Sequence, residues 1–170
     1  MIEYRRLKLS EREEFEALVE TVIDSLERKD FFMPYSKEEI DAIFASANVI
    51  AYGAYHNGKM VGTAQLFEED ELVEQIKAAV GLAEAKAAEF GGVLVLPEYR
   101  GQGIMKHFAG ILRDEAKAKG LEYIVSIAHP ENTASNRGIT SMGAKLAKCD
   151  KLGEYTRNMY FLALTEKERA

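Results

Sequence analysis

The fold of this chain is decided by the stretch Val93-Leu94-Val95-Leu96-Pro97-Glu98-Tyr99-Arg100-Gly101-Gln102-Gly103-Ile104-Met105. It begins as an apolar run typical of a buried strand, passes through a turn with two glycines and continues into a helical pattern. One face of that helix is apolar and is formed by Ile104, Phe108, Ile111, Leu112 and Ala116. Gly120 follows as a stop signal. The stretch therefore predicts a strand, a tight turn and an amphipathic helix.

The turn in this stretch has the features of an anion site. Free N–H groups at the start of a helix point outward with the positive end of the helix dipole, and glycine lets a ligand come close to the backbone. Arg100 can add a full positive charge. The pattern predicts a site for phosphate or pyrophosphate, and a plain strand–helix turn that binds nothing is the alternative.

Two common nucleotide-binding motifs do not fit the turn. A Walker A loop needs G-x-x-x-x-G-K-[ST], which is absent. A dinucleotide fingerprint needs a third glycine where Lys106 stands, and its acidic partner, Glu122, begins the next strand instead of ending it. A dinucleotide is therefore a poor candidate ligand.

The rest of the chain alternates between strand and helix patterns. Capping-box pairs at Ser10/Glu13 and Ser36/Glu39 predict two helix starts, and Asn57-Gly58 predicts a hairpin between strands 49–56 and 59–67. Helical spacing favours an extra helix over 70–88. The other predicted elements are strands at 2–8, 89–96, 122–128, 144–150 and 155–164 and a helix at 133–143. The order indicates an α/β or α+β fold in a single domain over 1–170.

Composition excludes several classes of protein. The 170 residues include 28 acidic and 22 basic side chains, for a net charge of −6, which is unlike a nucleic-acid-binding protein. No apolar run approaches the ~20 residues needed to span a membrane, and residues 1–6 lack the apolar core of a signal peptide. Cys149 is the single cysteine, so no internal disulfide can form. We expect a cytoplasmic protein with no membrane or nucleic-acid partner.

Two segments resemble motifs of the GNAT acetyltransferases. Residues 95–105 are similar to motif A, V-x-P-x-[YF]-[RQ]-x-x-G-x-[GA]. Asn132-Thr133-Ala134-Ser135, followed by Met142-Gly143-Ala144, resembles motif B. The order of elements also matches almost end to end. The resemblance implies a mixed, mostly antiparallel central sheet of about seven strands flanked by helices, with the extra helix between strands 3 and 4.

The resemblance also implies acetyl-CoA as the acyl donor and an amine of a small molecule or peptide as the acceptor. The pyrophosphate would lie on the backbone N–H groups of Gly101, Gln102, Gly103, Ile104 and Met105, beside Arg100. The pantetheine amides would pair with the strand edge at Leu94 and Val95. Asn132 would cap its helix and, with Ser135, reach the pantetheine arm; a plain N-cap is the alternative for Asn132.

Several positions depart from the family pattern. Met105 replaces a Gly or Ala of motif A, and Ala144 replaces an aromatic residue after Gly143. Ile139 stands where many members carry a tyrosine that protonates the leaving thiolate. The last departure puts the usual general acid in doubt, and Ser135 and Tyr160 are the substitutes that the sequence offers.

The acceptor amine arrives protonated and needs a base. Glu89 is the first candidate because its strand leads into motif A, and the small pair Gly91-Gly92 is expected to leave room for the acyl group. An exposed glutamate at a strand end is the alternative interpretation. The acidic run 68–71 could attract a cationic acceptor or simply be a solvated helix start.

These observations favour an N-acetyltransferase that moves acetyl directly to the amine without an acyl-enzyme. Its three histidines, His56, His107 and His129, lack metal-ligand spacing, so no metal is expected. One rival is a non-catalytic acyl-CoA-binding or sensor module, which Ile139 favours. Another is transfer of a longer acyl group. A homodimer, through the closing strands, is also left open.

Overall fold

The computed structural model describes residues 1–164 as seven strands and five α-helices, joined by three short 3₁₀ turns. The strands are β1 (Ile2–Arg6), β2 (Val49–His56), β3 (Lys59–Phe67), β4 (Ala87–Val95), β5 (Tyr123–Ala128), β6 (Lys145–Leu152) and β7 (Tyr155–Ala163). The helices are α1 (Arg12–Asp24), α2 (Lys37–Ala45), α3 (Glu71–Ala79), α4 (Ile104–Ala118) and α5 (Thr133–Ser141). The expected helix between the third and fourth strands is present as α3.

All seven strands form one sheet in the order β1-β2-β3-β4-β5-β7-β6. Neighbours are antiparallel except β4 and β5, which are parallel. The Asn57-Gly58 hairpin joins β2 to β3 as predicted, with both residues at positive φ. The mixed, mostly antiparallel seven-stranded sheet is therefore confirmed.

The parallel pair β4–β5 is joined only at its beginning. Ala87, Ala88 and Glu89 pair with Tyr123, Ile124 and Val125, and the Ser126 hydroxyl then donates to the carbonyl of Phe90 at 3.0 Å. Beyond Phe90 the two strands have no register partners, although β4 continues to Val95 and β5 to Ala128. The sheet is therefore open between these strands, and the edge of β4 that faces the opening is unpaired.

Helices cover both faces of the sheet. Side chains alternate along a strand, and in β1 the ring of Tyr4 stacks on His107 of α4 while Arg5 pairs with Glu11, just before α1. α1 and α4 thus lie on opposite faces. Each buries an apolar stripe, formed by Phe15, Leu18 and Val22 in α1 and by Ile104, Phe108, Leu112 and Ala116 in α4. No helix within residues 1–164 is long and apolar enough to cross a membrane.

Two predicted helix boundaries were wrong. The Ser10/Glu13 capping box does not form: α1 begins at Arg12, and the carboxylate of Glu11 accepts the Lys8 N–H at 2.8 Å while it pairs with Arg5. The Ser36/Glu39 box is confirmed, with both reciprocal hydrogen bonds present at 3.1 and 2.9 Å.

The helix predicted over 70–88 is the second error, because α3 ends at Ala79. Gly81 takes φ +81°, and the Leu82 N–H donates to the Lys77 carbonyl at 2.8 Å, which closes the helix in a Schellman motif. The chain then turns and enters β4 at Ala87. Glu89 consequently lies inside β4 instead of at its beginning.

Candidate functional site

The turn before α4 presents a row of free backbone donors. Gly103 caps the helix in the left-handed region at φ +80°, and Gly101 also has positive φ, at +76°. The first backbone bond after the turn runs from the His107 N–H to the Gly103 carbonyl. Among residues 1–164, the N–H groups from Gly101 to Met105 meet no acceptor.

The space in front of this turn is open. No atom lies within 4 Å of where a Cβ would stand at Gly101 or Gly103. Arg100, at the start of the turn, is exposed, and its guanidinium donates to the Ser25 hydroxyl at 3.3 Å. Five unsatisfied N–H groups at the positive end of a helix, with an exposed cation beside them, fit a phosphate or pyrophosphate group.

Leu94 and Val95 lie in the part of β4 that borders the opening. Their register partners on one side are Thr63 and Gly62 of β3, whereas β5 has no partner for them on the other side. The free edge of β4 can therefore accept an extended ligand that carries amide groups.

A cavity of about 660 Å³ lies at the opening between β4 and β5. On the α3 side it is bounded by the loop from Phe31 to Ser36 and by the start of α3, and its floor includes Glu89 and Ile127. It also reaches three residues of α4 and α5 on the other side of the sheet, Met105, Ser135 and Ile139. The cavity therefore connects the two faces of the sheet through the opening between the strands.

Glu89 is the buried acidic group of this cavity. Its side chain lines the cavity although the residue is only 6% exposed, and it has no hydrogen-bond partner among the described residues. Burial, followed by the nearby charges of Asp70 and Glu39, raises the pKa of Glu89 to about 8. The interpretation of Glu89 as an exposed strand-end residue is therefore wrong, and its proton affinity suits acid–base work near neutral pH.

Gly91 and Gly92 line the cavity, as expected for a space beside an acyl group, but neither position could carry a side chain. A Cβ at Gly91 would lie 2.6 Å from Glu89 Oε2, and one at Gly92 would lie 1.8 Å from Gln65 Oε1 and 2.1 Å from the Tyr35 hydroxyl. Only glycine fits at positions 91 and 92, because side chains of the same chain pass directly over them.

Tyr35 and Gln65 belong to a chain of hydrogen bonds that begins at Tyr35 in the cavity lining. The Tyr35 hydroxyl donates to Gln65 Oε1 at 2.6 Å, and Gln65 Nε2 donates to Thr63 Oγ1 at 2.7 Å. The Thr63 hydroxyl donates in turn to the Tyr52 carbonyl at 3.0 Å. Burial, followed by the charges of Glu89 and Glu39, raises the pKa of Tyr35, so its hydroxyl stays protonated. Gln65 is thereby held in one orientation.

The start of α5 places Ser135 in the cavity. Asn132 caps the helix, since its Oδ1 accepts the Ser135 N–H at 3.3 Å. One turn later Ile139, which is buried, lines the cavity at the position where the family that the sequence resembles commonly carries a tyrosine. Ser135 is thus the hydroxyl that α5 contributes to the cavity lining.

Tyr160 lies apart from this lining. It is buried in β7, and its hydroxyl donates to Asn136 Oδ1, which also accepts from Asn158 Nδ2 at 3.0 Å. Tyr160 is not among the residues that line the cavity.

The acidic run 68–71 is divided between two roles. Glu68 pairs with Lys119, and Glu69 accepts from Asn48 Nδ2 at 3.2 Å. Asp70 and Glu71 line the cavity, and Asp70 also caps α3 by accepting the Val73 N–H at 2.8 Å.

Sequence reasoning missed the cavity residues Tyr35, Glu39 and Arg157. In the sequence Glu39 belongs only to a helix-capping pattern, and neither Tyr35 nor Arg157 belongs to a local pattern that points to a ligand. In the described part of the chain, no group of three or more His, Cys, Asp and Glu side chains could hold a metal ion.

Comparisons with known proteins agree with this architecture. Residues 21–143 match the sequence profile of the Acetyltransferase (GNAT) family. No curated protein sequence matches the chain.

Solved structures of similar fold include an N-acetyltransferase from Staphylococcus aureus Mu50, at 17% identity, TM-score 0.73 and coverage of 96% of this chain and 98% of that one. Arabidopsis thaliana NAA60 in complex with acetyl-CoA is 14% identical, with TM-score 0.74 and coverage of 96% and 99%. The ribosomal-protein-S18-alanine N-acetyltransferase of Escherichia coli is 15% identical, with TM-score 0.68 and coverage of 96% and 93%. At these identities the likeness concerns the fold. The profile match spans well over half of the 170 residues, and the chain belongs to the GNAT family of acetyltransferases.

Proposed function

We propose that this protein is an acetyl-CoA-dependent N-acetyltransferase that moves acetyl directly to the amine of a small molecule or peptide. The observation that carries the proposal is the continuity of the site. Free N–H groups at the start of α4, an unpaired edge of β4 and a buried carboxyl group, Glu89, all border one opening in the sheet.

Acetyl-CoA would supply an activated acyl group as a thioester. The N–H groups of Gly101, Gln102, Gly103, Ile104 and Met105 would hold its pyrophosphate, with Arg100 adding charge, and the edge at Leu94 and Val95 would pair with its amides. A backbone N–H of that edge would also stabilise charge on the thioester oxygen, a contact worth ~3–4 kcal/mol where measured. Asn132 and Ser135 would border the same arm.

Glu89 would accept the proton that the amine must lose. With a pKa of about 8 the carboxyl group is mostly neutral at pH 7 in the free protein. A cationic amine in the cavity favours the ionised form, so the two groups can exchange a proton on contact. The amine nitrogen then bonds to the acyl carbon, the carbon–sulfur bond breaks, and CoA leaves as a thiolate that takes up a proton.

The leaving thiolate has two sources for that proton. Ser135 lines the cavity, and the thiol of CoA should have a pKa near that of cysteine, ~8.5, so water can also serve at neutral pH. Tyr160 would take this role only if its hydroxyl left Asn136. Because Glu89, Gln65 and Tyr35 pass close to Gly91 and Gly92 at the cavity wall, we propose a short acyl group such as acetyl.

A non-catalytic module that binds acyl-CoA is the second candidate, because Ile139 replaces the usual tyrosine. One assay separates the two: release of CoA from acetyl-CoA, followed with a thiol reagent, across a panel of alkylamines, amino acids and short peptides. We expect at least one amine to increase release well above the rate without acceptor. Tight binding of acetyl-CoA by calorimetry with no amine-dependent release would favour the sensor.

A further inference from the structure

Arg157 is a buried cation in the wall of the cavity. It comes from β7 and is only 2% exposed, yet it lines the same cavity as Glu89. Its Nη2 donates to the carbonyl of Asp30 at 2.6 Å and its Nη1 to the carbonyl of Thr156 at 2.9 Å. These two bonds fix the guanidinium in place.

The charge of Arg157 has no ion-pair partner among residues 1–164. Both of its hydrogen-bond partners are neutral carbonyls. The carboxylate of Asp30 acts on it only at longer range, because that carboxylate is held by Arg28 at 2.8 Å and by His129 at 3.3 Å. The guanidinium also lies 5.1 Å from the ring centroid of Tyr155, so its contacts are two carbonyls and an aromatic face. A buried charge without an ion-pair partner is costly, and a guanidinium offers five N–H donors suited to a carboxylate. Arg157 therefore provides a site for an anionic group of a ligand.

Three acidic side chains line another part of the cavity. Glu39, Asp70 and Glu89 line it and lie near enough that the first two raise the proton affinity of the third. Glu39 and Asp70 accept only backbone N–H groups, of Ser36 and Val73, and none of the three carboxyl groups pairs with a cation in the described chain. We call these three residues the acidic end of the cavity.

The register of the sheet separates the acidic end from Arg157. Glu89 is level with Val125, and Val125 with Phe161, so Arg157 lies two strands away and four residues along β7. At the usual strand geometry that is ~10 Å across the sheet and ~13 Å along it. A ligand that touches both ends is favoured if a chain of several atoms separates its two charges.

The wall between the two ends suits such a chain. Phe31 and Phe32 line the cavity. Phe31 follows Asp30, whose carbonyl accepts from Arg157, and Phe32 packs against Tyr35, which passes over Gly92. These aromatic rings would cover methylene groups or a peptide backbone.

We propose that the acceptor is an extended amino carboxylate, an ω-amino acid or a short peptide, whose carboxylate binds Arg157 and whose amine lies at the acidic end. Acetylation of the bound amine rests on the proposed function. Binding of the amino carboxylate to Arg157 and the acidic end does not. The role of Arg157 is specificity: it would choose among amines and take no part in bond formation.

The test compares 6-aminohexanoate with hexylamine, which share the amine and the chain but differ in the carboxylate. Calorimetry on protein saturated with CoA measures binding, and CoA release measures transfer. We expect the carboxylate to improve affinity about 10- to 100-fold in the wild-type protein, as for hydrogen bonds to a charged group. In Arg157→Met the affinities for 6-aminohexanoate and hexylamine should differ by no more than about threefold.

Arg6→Met is the matched control, because it also removes one arginine charge but lies at the exposed Glu115 pair in β1. It should keep the full preference. Equal affinity of 6-aminohexanoate and hexylamine in the wild type, or an unchanged preference in Arg157→Met, would overturn the inference, as would glycine binding as tightly as 6-aminohexanoate. Selective binding without any acetyl transfer would instead refute only the proposed function.

Discussion

The thioether of Met105 lies directly against Gly138: a Cβ at position 138 would stand 2.4 Å from Met105 Sδ. Motif A prefers a small residue where α4 carries Met105, and α5 makes room for the larger side chain with a glycine. Because Met105 also lines the cavity, the pair fixes the distance between α4 and α5 at the site.

The pair predicts a coupled effect on stability. Gly138→Ala should destabilise the protein by about 1–3 kcal/mol through overpacking, partly offset by the ~1 kcal/mol by which alanine favours a helix. In Met105→Ala the same alanine should be tolerated, giving a coupling free energy of about 0.5–3 kcal/mol in a double-mutant cycle by urea unfolding. Additive effects would show that the two side chains do not meet.

A second prediction concerns acetyl-CoA binding at the turn before α4. Gly103→Val places a branched side chain in the open space that the pyrophosphate would use, and it also strains a residue at φ +80°. Gly120→Val is the matched control, because Gly120 has φ +77° with equally open space at the other end of α4. We expect both variants to lose similar stability.

Only Gly103→Val should lose affinity for acetyl-CoA, by at least tenfold in calorimetry, because it removes access to charge-assisted N–H donors. Arg100→Ala should lose less, since the backbone donors remain, and its loss should shrink at high salt. Unchanged affinity in Gly103→Val would move the CoA site elsewhere.

Local patterns explain which parts could be predicted. The turn before α4 and the Asn132 cap depend on a few consecutive residues, so the sequence predicted both. Gly81 marks the end of α3, but apolar residues continue at helical spacing beyond it. The predicted helix therefore extends too far, to residue 88.

Contacts between distant segments explain what was missed. Position 92 is a glycine because Gln65 and Tyr35 pass over it, and Arg157 is a ligand candidate because no carboxylate within residues 1–164 forms an ion pair with it. The position of Glu89 in the chain makes it a candidate base, but its burial depends on the loop and helix that cover β4. None of these contacts produces a local sequence pattern from which it could be predicted.

A third prediction tests Tyr160 as the general acid. Its hydroxyl is engaged with Asn136 and does not line the cavity, so Tyr160→Phe should change kcat by less than about tenfold, a barrier difference below ~1.4 kcal/mol. The lost hydrogen bond should lower the free energy of unfolding by about 1 kcal/mol. A much larger fall in kcat with intact acetyl-CoA affinity would make Tyr160 the acid.

A fourth prediction uses the raised pKa of Glu89. Between its ordinary value of 4.5 and about 8, the folded state holds the proton while the unfolded state has lost it. Within this window the contribution of Glu89 to the free energy of unfolding falls as pH rises. Glu89→Gln lacks that fall, so its stability relative to wild type should increase from pH 5 to pH 8 and then level off. A constant difference across urea titrations at these pH values would contradict the burial of the charge.

The same variant tests Glu89 as the base. Glu89→Gln should keep its acetyl-CoA affinity and lower kcat/KM by about 10²–10⁴-fold at neutral pH. The deficit should narrow as rising pH supplies free amine without help. Wild-type kinetics in Glu89→Gln from pH 6 to 9 would assign proton removal to water.

The fifth prediction separates the two halves of the acidic run. Asp70 lines the cavity and raises the pKa of Glu89, whereas Glu68 in the same run is paired with Lys119 outside the lining. Asp70→Asn keeps the helix cap, since asparagine also accepts the Val73 N–H, and removes only the charge.

Without that charge the pKa of Glu89 should fall, and the acid limb of the pH profile of kcat/KM should move to lower pH. The KM for a cationic acceptor should rise as well, more at low salt than at high salt, because one attractive charge has gone. Glu68→Gln, which removes the same charge a few residues away, should move neither quantity. If Asp70→Asn and Glu68→Gln change both quantities equally, the pKa of Glu89 depends on the net charge of the whole acidic run, and Asp70 has no individual role in the site.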